Sequence, residues 1–285
     1  MEPLELSIVR TVAELRARVR DWRRRGERVA LVPTMGALHD GHLSLIRRAR
    51  ESAERVVSSV FVNPTQFAPG EDFERYPRNE VRDAELLASV GCDLLYAPHA
   101  GQIYPEGFAT TVTVAGVAEP LEGAARPTHF TGVATVVAKL LIQAEPDVAV
   151  FGEKDYQQLL VIRRMARDLD LPVEIIGAPT SREQDGLARS SRNAYLSEPQ
   201  REVAGRLNLI LADAAAALGA GADVASTEAE AVQALKEAGF EGVDYFEARG
   251  AEDLRRLGPG PIDGPARVLA AVRLGATRLI DNLAV

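Results

Sequence analysis

Cysteine is almost absent from this 285-residue chain. The single Cys92 excludes an intrachain disulfide framework and any multi-cysteine zinc site, and it fits a reducing compartment. Lysine is nearly as scarce: Lys139, Lys154 and Lys236 are the only lysines among 33 basic residues. No apolar run approaches the roughly 20 residues that cross a bilayer. Glu2, Glu5, Arg10 and Glu14 interrupt the start of the chain, where a secretory signal needs an unbroken apolar stretch. A cytoplasmic protein without membrane association is the expectation. Positive charge is also in deficit: a formal net charge of −8 supplies no global field to collect nucleic acid. Nucleic acid is therefore not expected as a partner, despite the local run Arg23-Arg24-Arg25, and an anionic substrate must be held by placed cations and backbone N–H groups. Two nucleotide-binding signatures are missing as well. There is no G-x-x-x-x-G-K-[ST] and no G-x-G-x-x-G, which removes the main support for a Walker-type NTPase or a dinucleotide oxidoreductase.

What is present alternates strand with helix. Hydrophobic residues make up 46% of the chain, enough for one large core or two ordinary ones, and the length sets a prior of about two domains. A helix is predicted over residues 11–25, with Thr11 and Glu14 as a capping box, Val12, Leu15, Val19 and Trp22 as the apolar stripe and Gly26 as the stop. Strands over 28–33, 55–62, 92–97, 148–151 and 173–176 then alternate with helices over 41–53, 80–90, 131–143 and 156–169. Continuous apolar strands between amphipathic helices predict an α/β fold, a doubly wound parallel sheet covered on both faces. Ligands of such sheets bind beyond the carboxyl ends of the strands. After about residue 178 the pattern changes to a polar loop over 186–195, helices over 198–218 and 227–238, and strands over 243–247, 267–273 and 277–282. That predicts a smaller α+β C-terminal domain with its boundary near Pro179, a glycine-rich turn at 258–264 and no internal repeat.

Residues 33–45 read PTMGALHDGHLSL and follow the first buried strand. They place His39 and His42 three apart at a helix start, on one side of its first turn. Unpaired N–H groups and the positive dipole end suit a phosphate there, and two imidazoles can donate to a phosphorus centre and its pyrophosphate leaving group. One histidine at a helix start is more often a cap; two at this spacing after a buried strand favour nucleotidyl transfer. Gly36 and Gly41 serve either the turn or the close approach of a ligand.

The His39-Asp40-Gly41-His42 element resembles the HIGH signature of nucleotidyltransferases and class I aminoacyl-tRNA synthetases, and the full thirteen-residue string resembles the form found in the pantothenate synthetase family. Further strings carry the same likeness: Asn63, Gln66 and Phe67 after the second strand, then Asp72 to Tyr76, Arg126-Pro-Thr-His129-Phe130, Gly152-Glu-Lys154-Asp155-Tyr-Gln-Gln158, and Gly186-Leu-Ala-Arg189-Ser190-Ser191-Arg192-Asn193. The last resembles the family's counterpart of the KMSKS loop, with Arg189 standing where the resemblance leads one to expect methionine.

The resemblance implies a Rossmann-like fold of the HIGH nucleotidyltransferase type. Residues 1–178 would bind ATP and pantoate, and residues 179–285 would form a lid-like domain with the KMSKS-like loop at its start. It implies condensation of (R)-pantoate with β-alanine through an enzyme-bound adenylate, with ATP as substrate, Mg²⁺ on its phosphates and a homodimer as the assembly. His39, His42, Lys154, Ser190, Ser191 and Arg192 are then the catalytic groups. Pro33, Met35, Gly41, Gly152, Lys154, Asp155, Ser190 and Arg192 bind ATP. Met35, Asn63, Gln66, Val136 and Gln158 hold pantoate or β-alanine, with Tyr76 as a wall; Arg126 and His129 position β-alanine or an anionic group, and Asp83 is the metal-ligand candidate. On the residues alone, Asn63 and Gln66 equally read as loop caps, Lys154 as a surface ion pair and Val137 as core. Two other classes share parts of the pattern: another HIGH-type nucleotidyltransferase acting on a different small acid or a phosphate acceptor, and a non-enzymatic nucleotide or RNA sensor, which the acidic net charge disfavours.

Overall fold

A computed structural model describes residues 6–67, 70 and 73–285; Glu2, Glu5 and Asp72 lie outside them. Its contacts divide into two units, one running to Glu153 and from Gln158 to Pro179, the other made of Lys154–Gln157 and Thr180–Val285.

In the first unit, strands β1 (Ser7–Val9), β2 (Val29–Thr34), β3 (Arg55–Val60), β4 (Leu94–Tyr96), β5 (Val148–Gly152) and β6 (Glu174–Ala178) form a parallel sheet in the order β1-β4-β3-β2-β5-β6. Helices α1 (Val12–Arg24), α2 (Asp40–Arg50), α3 (Glu80–Ser89), α6 (His129–Ala144) and α7 (Tyr156–Asp168) connect it, with short turns α4 (Ala100–Ile103) and α5 (Glu122–Ala125) between. Thr11 and Glu14 close the capping box of α1 as read, and Leu15, Val19 and Trp22 are its buried stripe. Ile46 and Ala49 of α2 and Leu87 of α3 pack with Ala30, Val32, Val56, Leu95, Val148 and Val150. Leu31, Val57 and Ala149 have the opposite parity and are equally buried, and α1 and α6 pack on each other and on β2. Successive strand residues face opposite sides, so both faces of the sheet are covered. β1 has no counterpart among the predicted strands, because three residues carry no readable period.

The strand order reverses direction between β2 and β5, which makes that pair the switch point. Their ladder consists of Ala30↔Val148 and Leu31↔Ala149. Beyond that ladder β2 runs on to Thr34 and β5 to Gly152, and the carboxyl side of a switch point is where ligands of such sheets bind.

In the second unit, β7 (Gly242–Gly250), β8 (Ala266–Leu274) and β9 (Thr277–Ala284) form an antiparallel sheet. Its core joins Ala204, Leu207, Leu211 and Leu235 of helices α8 (Glu198–Ala204), α9 (Arg206–Gly219) and α10 (Val224–Glu237) to Phe246, Val268 and Val272. The predicted single helix over 198–218 is two helices. It breaks at Gly205, where a Cβ would stand 2.6 Å from Asp185 Oδ2, and that carboxylate is itself held by Arg201.

Candidate active site

The loop between β2 and α2 is built by side chains that spend their polar atoms on its backbone. Thr34 Oγ1 donates to Ser59 O (2.8 Å) and accepts from Gly36 N (3.2 Å). Gly36 turns the chain at φ 86°, and a Cβ there would stand 2.9 Å from Asp83 Oδ2. Asp83 in turn accepts the N–H groups of Leu38 (2.8 Å) and Ala37 (3.1 Å). This gives Asp83 a different setting from a metal ligand's: it is 2% exposed, and both carboxylate oxygens are committed to the loop. Burial pushes its carboxyl above the ordinary range, against the pull of the two N–H donors.

His39 is the N-cap of α2. Its Nδ1 accepts from Gly41 N (3.1 Å), while His42 Nδ1 accepts from His39 N (3.3 Å). The two rings lie 4.1 Å apart between centroids. With each Nδ1 accepting a backbone N–H, the ring proton sits on Nε2 in both residues. The pair is a capping box in which histidines replace the usual hydroxyl and carboxylate.

The turn at Pro64–Gln66 that follows β3 rests on α6. Asn63 is 1% exposed and both ends of its carboxamide are engaged: Nδ2 donates to Gly132 O (3.2 Å) and to Gln66 Oε1 (3.1 Å), while Oδ1 accepts from Tyr104 OH (2.8 Å) and Thr65 Oγ1 (2.9 Å). Asn63 therefore supports Gln66 rather than projecting beside it. Gln66 Nε2 reaches Met35 Sδ at 3.0 Å, which brings two of the expected pantoate residues together. The carbonyl of Gln66 takes His129 Nδ1 (2.9 Å) and Arg126 Nη2 (3.2 Å), so both of these fasten the same turn. They reach it because α6 begins at His129, two residues before the predicted start. Val136 is buried on α6, like Val137, Tyr76 is buried with its ring 6.0 Å from Phe67, Pro33 pairs with Ser59 in the sheet, Gly41 lies in the first turn of α2 and Gln158 sits half-buried in the first turn of α7.

β5 ends at Gly152, and Lys154 and Asp155 follow in a 3-10 turn (Glu153–Asp155). Lys154 Nζ stands 3.5 Å from Asp155 Oδ1, with the lysine side chain 19% and the aspartate 46% exposed. In the second unit, Ser190 caps a 3-10 turn (Ser191–Tyr195), its Oγ accepting from Arg192 N at 3.3 Å. Arg189 folds back: Nε donates to Arg182 O (3.2 Å) and Nη2 pairs with Glu183 (3.1 Å). A long cation at the position expected for methionine is thus tied to the facing arm of its own hairpin. Sequence reading missed Tyr104, and also Asp281 and Asn282. The one available signal for the latter two was an Asp-Asn step between the apolar residues Ile280 and Leu283.

A doubly wound unit with a histidine pair capping the helix after its central strand, followed by an antiparallel unit that carries the serine and arginine turn, defines a HIGH-type nucleotidyltransferase. The pantoate–beta-alanine ligase family profile matches residues 7–284, and the chain belongs to that family. It is 65% identical to the pantothenate synthetase of Caulobacter vibrioides over 98% of both chains, and 62% identical to that of Paramagnetospirillum magneticum over 98% of this chain and 97% of the other. Pantothenate synthetase from Thermus thermophilus superposes with a TM-score of 0.91 at 50% identity, covering 98% of this chain and 99% of that one. Pantoate–beta-alanine ligase from Francisella tularensis, solved with β,γ-ATP and β-alanine, superposes with a TM-score of 0.81 at 33% identity over 98% and 97%.

Proposed function

We infer that this chain condenses (R)-pantoate with β-alanine, consuming ATP and releasing AMP and diphosphate through a bound pantoyl adenylate. The observation that carries the reading is the pair His39 and His42: two imidazoles whose Nδ1 atoms cap α2, the helix that follows the central strand β2. Preorganised donors at a helix N-terminus stabilise charge that builds on phosphate oxygens without having to reorganise.

In the first half-reaction a pantoate carboxylate oxygen attacks the α-phosphorus and the bond to the β-phosphate bridging oxygen breaks, so diphosphate leaves. We assign His39 and His42 to that developing charge, together with Lys154, Ser190, Ser191 and Arg192. Gly152 and Asp155 are assigned to the nucleotide, with Pro33 and Gly41. Gln66, Gln158, Met35 and Val136 are assigned to the pantoate, and Asn63 acts on it through Gln66. In the second half-reaction the neutral amine of β-alanine attacks the acyl carbon and AMP departs; an amine that arrives unprotonated needs no base for attack.

Mg²⁺ belongs in this reading with the phosphates. Among the described residues no cluster of three or more His, Cys, Asp or Glu side chains is placed to hold an ion, and the oxygen-rich nucleotide supplies the ligands this cation prefers. A cytoplasmic location and a homodimer complete the proposal. The test is pantoate-dependent ATP–pyrophosphate exchange with β-alanine omitted. Exchange should require pantoate and fall by orders of magnitude in Lys154→Ala, and AMP release should require β-alanine; absence of exchange in the unmodified chain would end the ligase reading.

A further inference from the structure

β9 carries two buried polar residues side by side. Asp281 and Asn282 are each 3% exposed, and adjacent strand residues project to opposite faces. Each anchors a different segment of the second unit.

On one side, Asp281 takes both ends of the Arg182 guanidinium, at 2.6 and 3.0 Å. Arg182 is the base of a small hairpin, bridged to Ala188, and its Nη1 also donates to Gly186 O (3.0 Å). The returning arm leads straight into Ser190 and Arg192, and Asn193 Nδ2 donates back to Ala188 O (3.1 Å). The serine and arginine turn is thereby tied to Asp281. On the other side, Asn282 Nδ2 donates to the carbonyl of Lys154 (2.9 Å). Asn282 Oδ1 accepts from Arg267, whose guanidinium lies 3.8 Å over the ring of Tyr156, and Tyr156 OH donates to Ala251 O (2.8 Å).

We propose that Asn282 is a positioning residue for Lys154, and that Asp281 and Asn282 together fix the spacing between Lys154 and the turn of Ser190, Ser191 and Arg192. The proposal rests on the reading above, in which both segments serve the triphosphate. Groups that stabilise transition-state charge do so only where they are already in place, and a displacement of about 1 Å costs on the order of 10²-fold in rate. One strand step that holds both segments supplies that placement without touching the nucleotide.

The test uses Asn282→Ala and Asn282→Asp in the full chain; the second keeps the size of asparagine but has no N–H to give. Glu228→Gln is the control for general loosening. Glu228 accepts from Ala248 N (2.7 Å) and Arg256 in the same unit and has no role in the proposal. Both Asn282 variants should lower the kcat of pantoate-dependent exchange by roughly 10- to 100-fold while the KM for pantoate stays within about 2-fold. Amide hydrogen exchange of the peptide spanning residues 152–158 should rise in them and not in Glu228→Gln, which should lose thermal stability at unchanged kcat. Unchanged kcat, or unchanged amide exchange, in the Asn282 variants would overturn the assignment, as would an equal loss of kcat in Glu228→Gln. The amide-exchange arm is independent of turnover, so an unmodified chain lacking exchange activity refutes the ligase reading while the anchor is still decided.

Discussion

Gly132 is a position where the proposed pantoate pocket depends on the absence of a side chain. It lies in the first turns of α6, with the turn at Pro64–Gln66 laid against it backbone to backbone. A Cβ on residue 132 would stand 2.6 Å from the carbonyl carbon of Thr65 and 2.8 Å from Gln66 N, and closer still to Thr65 O. Unstrained carbon contacts lie near 3.5–4.0 Å, so Gly132→Ala must push the two segments apart by about 1 Å. No rotamer change can relieve it, because the atoms in the way are main chain. The displaced turn carries Gln66, and the bond from Asn63 Nδ2 to Gly132 O (3.2 Å) would stretch with it. Overpacking of this kind costs about 1–3 kcal/mol of stability, which exceeds the ~1 kcal/mol that alanine gains over glycine in a helix. A 1 Å shift of a substrate-binding group costs on the order of 10²-fold. Gly132→Ala should therefore lower the denaturation midpoint and reduce kcat/KM for pantoate by roughly 10- to 100-fold, with the KM for ATP much less affected. Gly101→Ala is the counterpart, since nothing lies within 4 Å of a Cβ there, and it should leave both readouts at the parent values. If Gly132→Ala kept the parent stability and pantoate KM, the argument from backbone contact would be refuted.

His39→Asn keeps an N-cap acceptor, which asparagine supplies well, but removes the Nε2 donor. Urea unfolding should be unchanged while exchange drops by about 10²-fold or more, the usual cost of one donor to a developing oxyanion; loss of stability with intact exchange would reverse the assignment. Tyr104→Phe deletes the 2.8 Å bond to Asn63 Oδ1, a neutral bond worth about 0.5–1.5 kcal/mol. The KM for pantoate should rise roughly 2- to 10-fold, and a rise in the KM for ATP instead would contradict the relay to Gln66. Arg55, and after it Arg25, hold the Glu27 carboxyl down to about 2 from 4.5. A lowered acid contributes stability that is present above pH 4.5 and disappears as pH falls through about 2. Glu27→Gln should flatten that part of the acid limb in denaturation midpoints measured across the range, and an identical limb would show the ion pairs to be idle.

The elements that were legible in the sequence owe their form to local chemistry. Thr11 and Glu14 cap α1 whatever packs on it, and the apolar runs of β2 and β5 read as strands buried on both faces. Length defeated the reading of β1, which consists of Ser7–Val9 and is held through its pairing with β4. At Gly205 the predicted helix divides in two beside Asp185, a distant carboxylate that leaves no room for a Cβ there. The site divides in the same way. His39 and His42 stood out because their type and spacing suit a phosphate, whereas Gln66 and Lys154 stood out only through the strings that carry the family likeness. Tyr104, Asp281 and Asn282 act through bonds to residues 41, 99 and 128 positions away, and no window of sequence encodes such a partner. Asn63 and Asp83 show the converse: their residue types suggested ligand contact, yet the fold spends their polar atoms on its own loops.

Capping and catalysis need not compete for the same histidines, since the two nitrogens of an imidazole divide the work. A hydroxyl or carboxylate at the N-cap satisfies a backbone N–H and leaves nothing aimed outward. An imidazole that accepts at Nδ1 is fixed in orientation by the helix and must carry its proton on Nε2. The cap thus selects the tautomer that carries its proton on Nε2. The same hydrogen bonds that close the first turn of α2 select the groups assigned to the phosphates, and the three-residue spacing follows from the capping box as much as from the ligand.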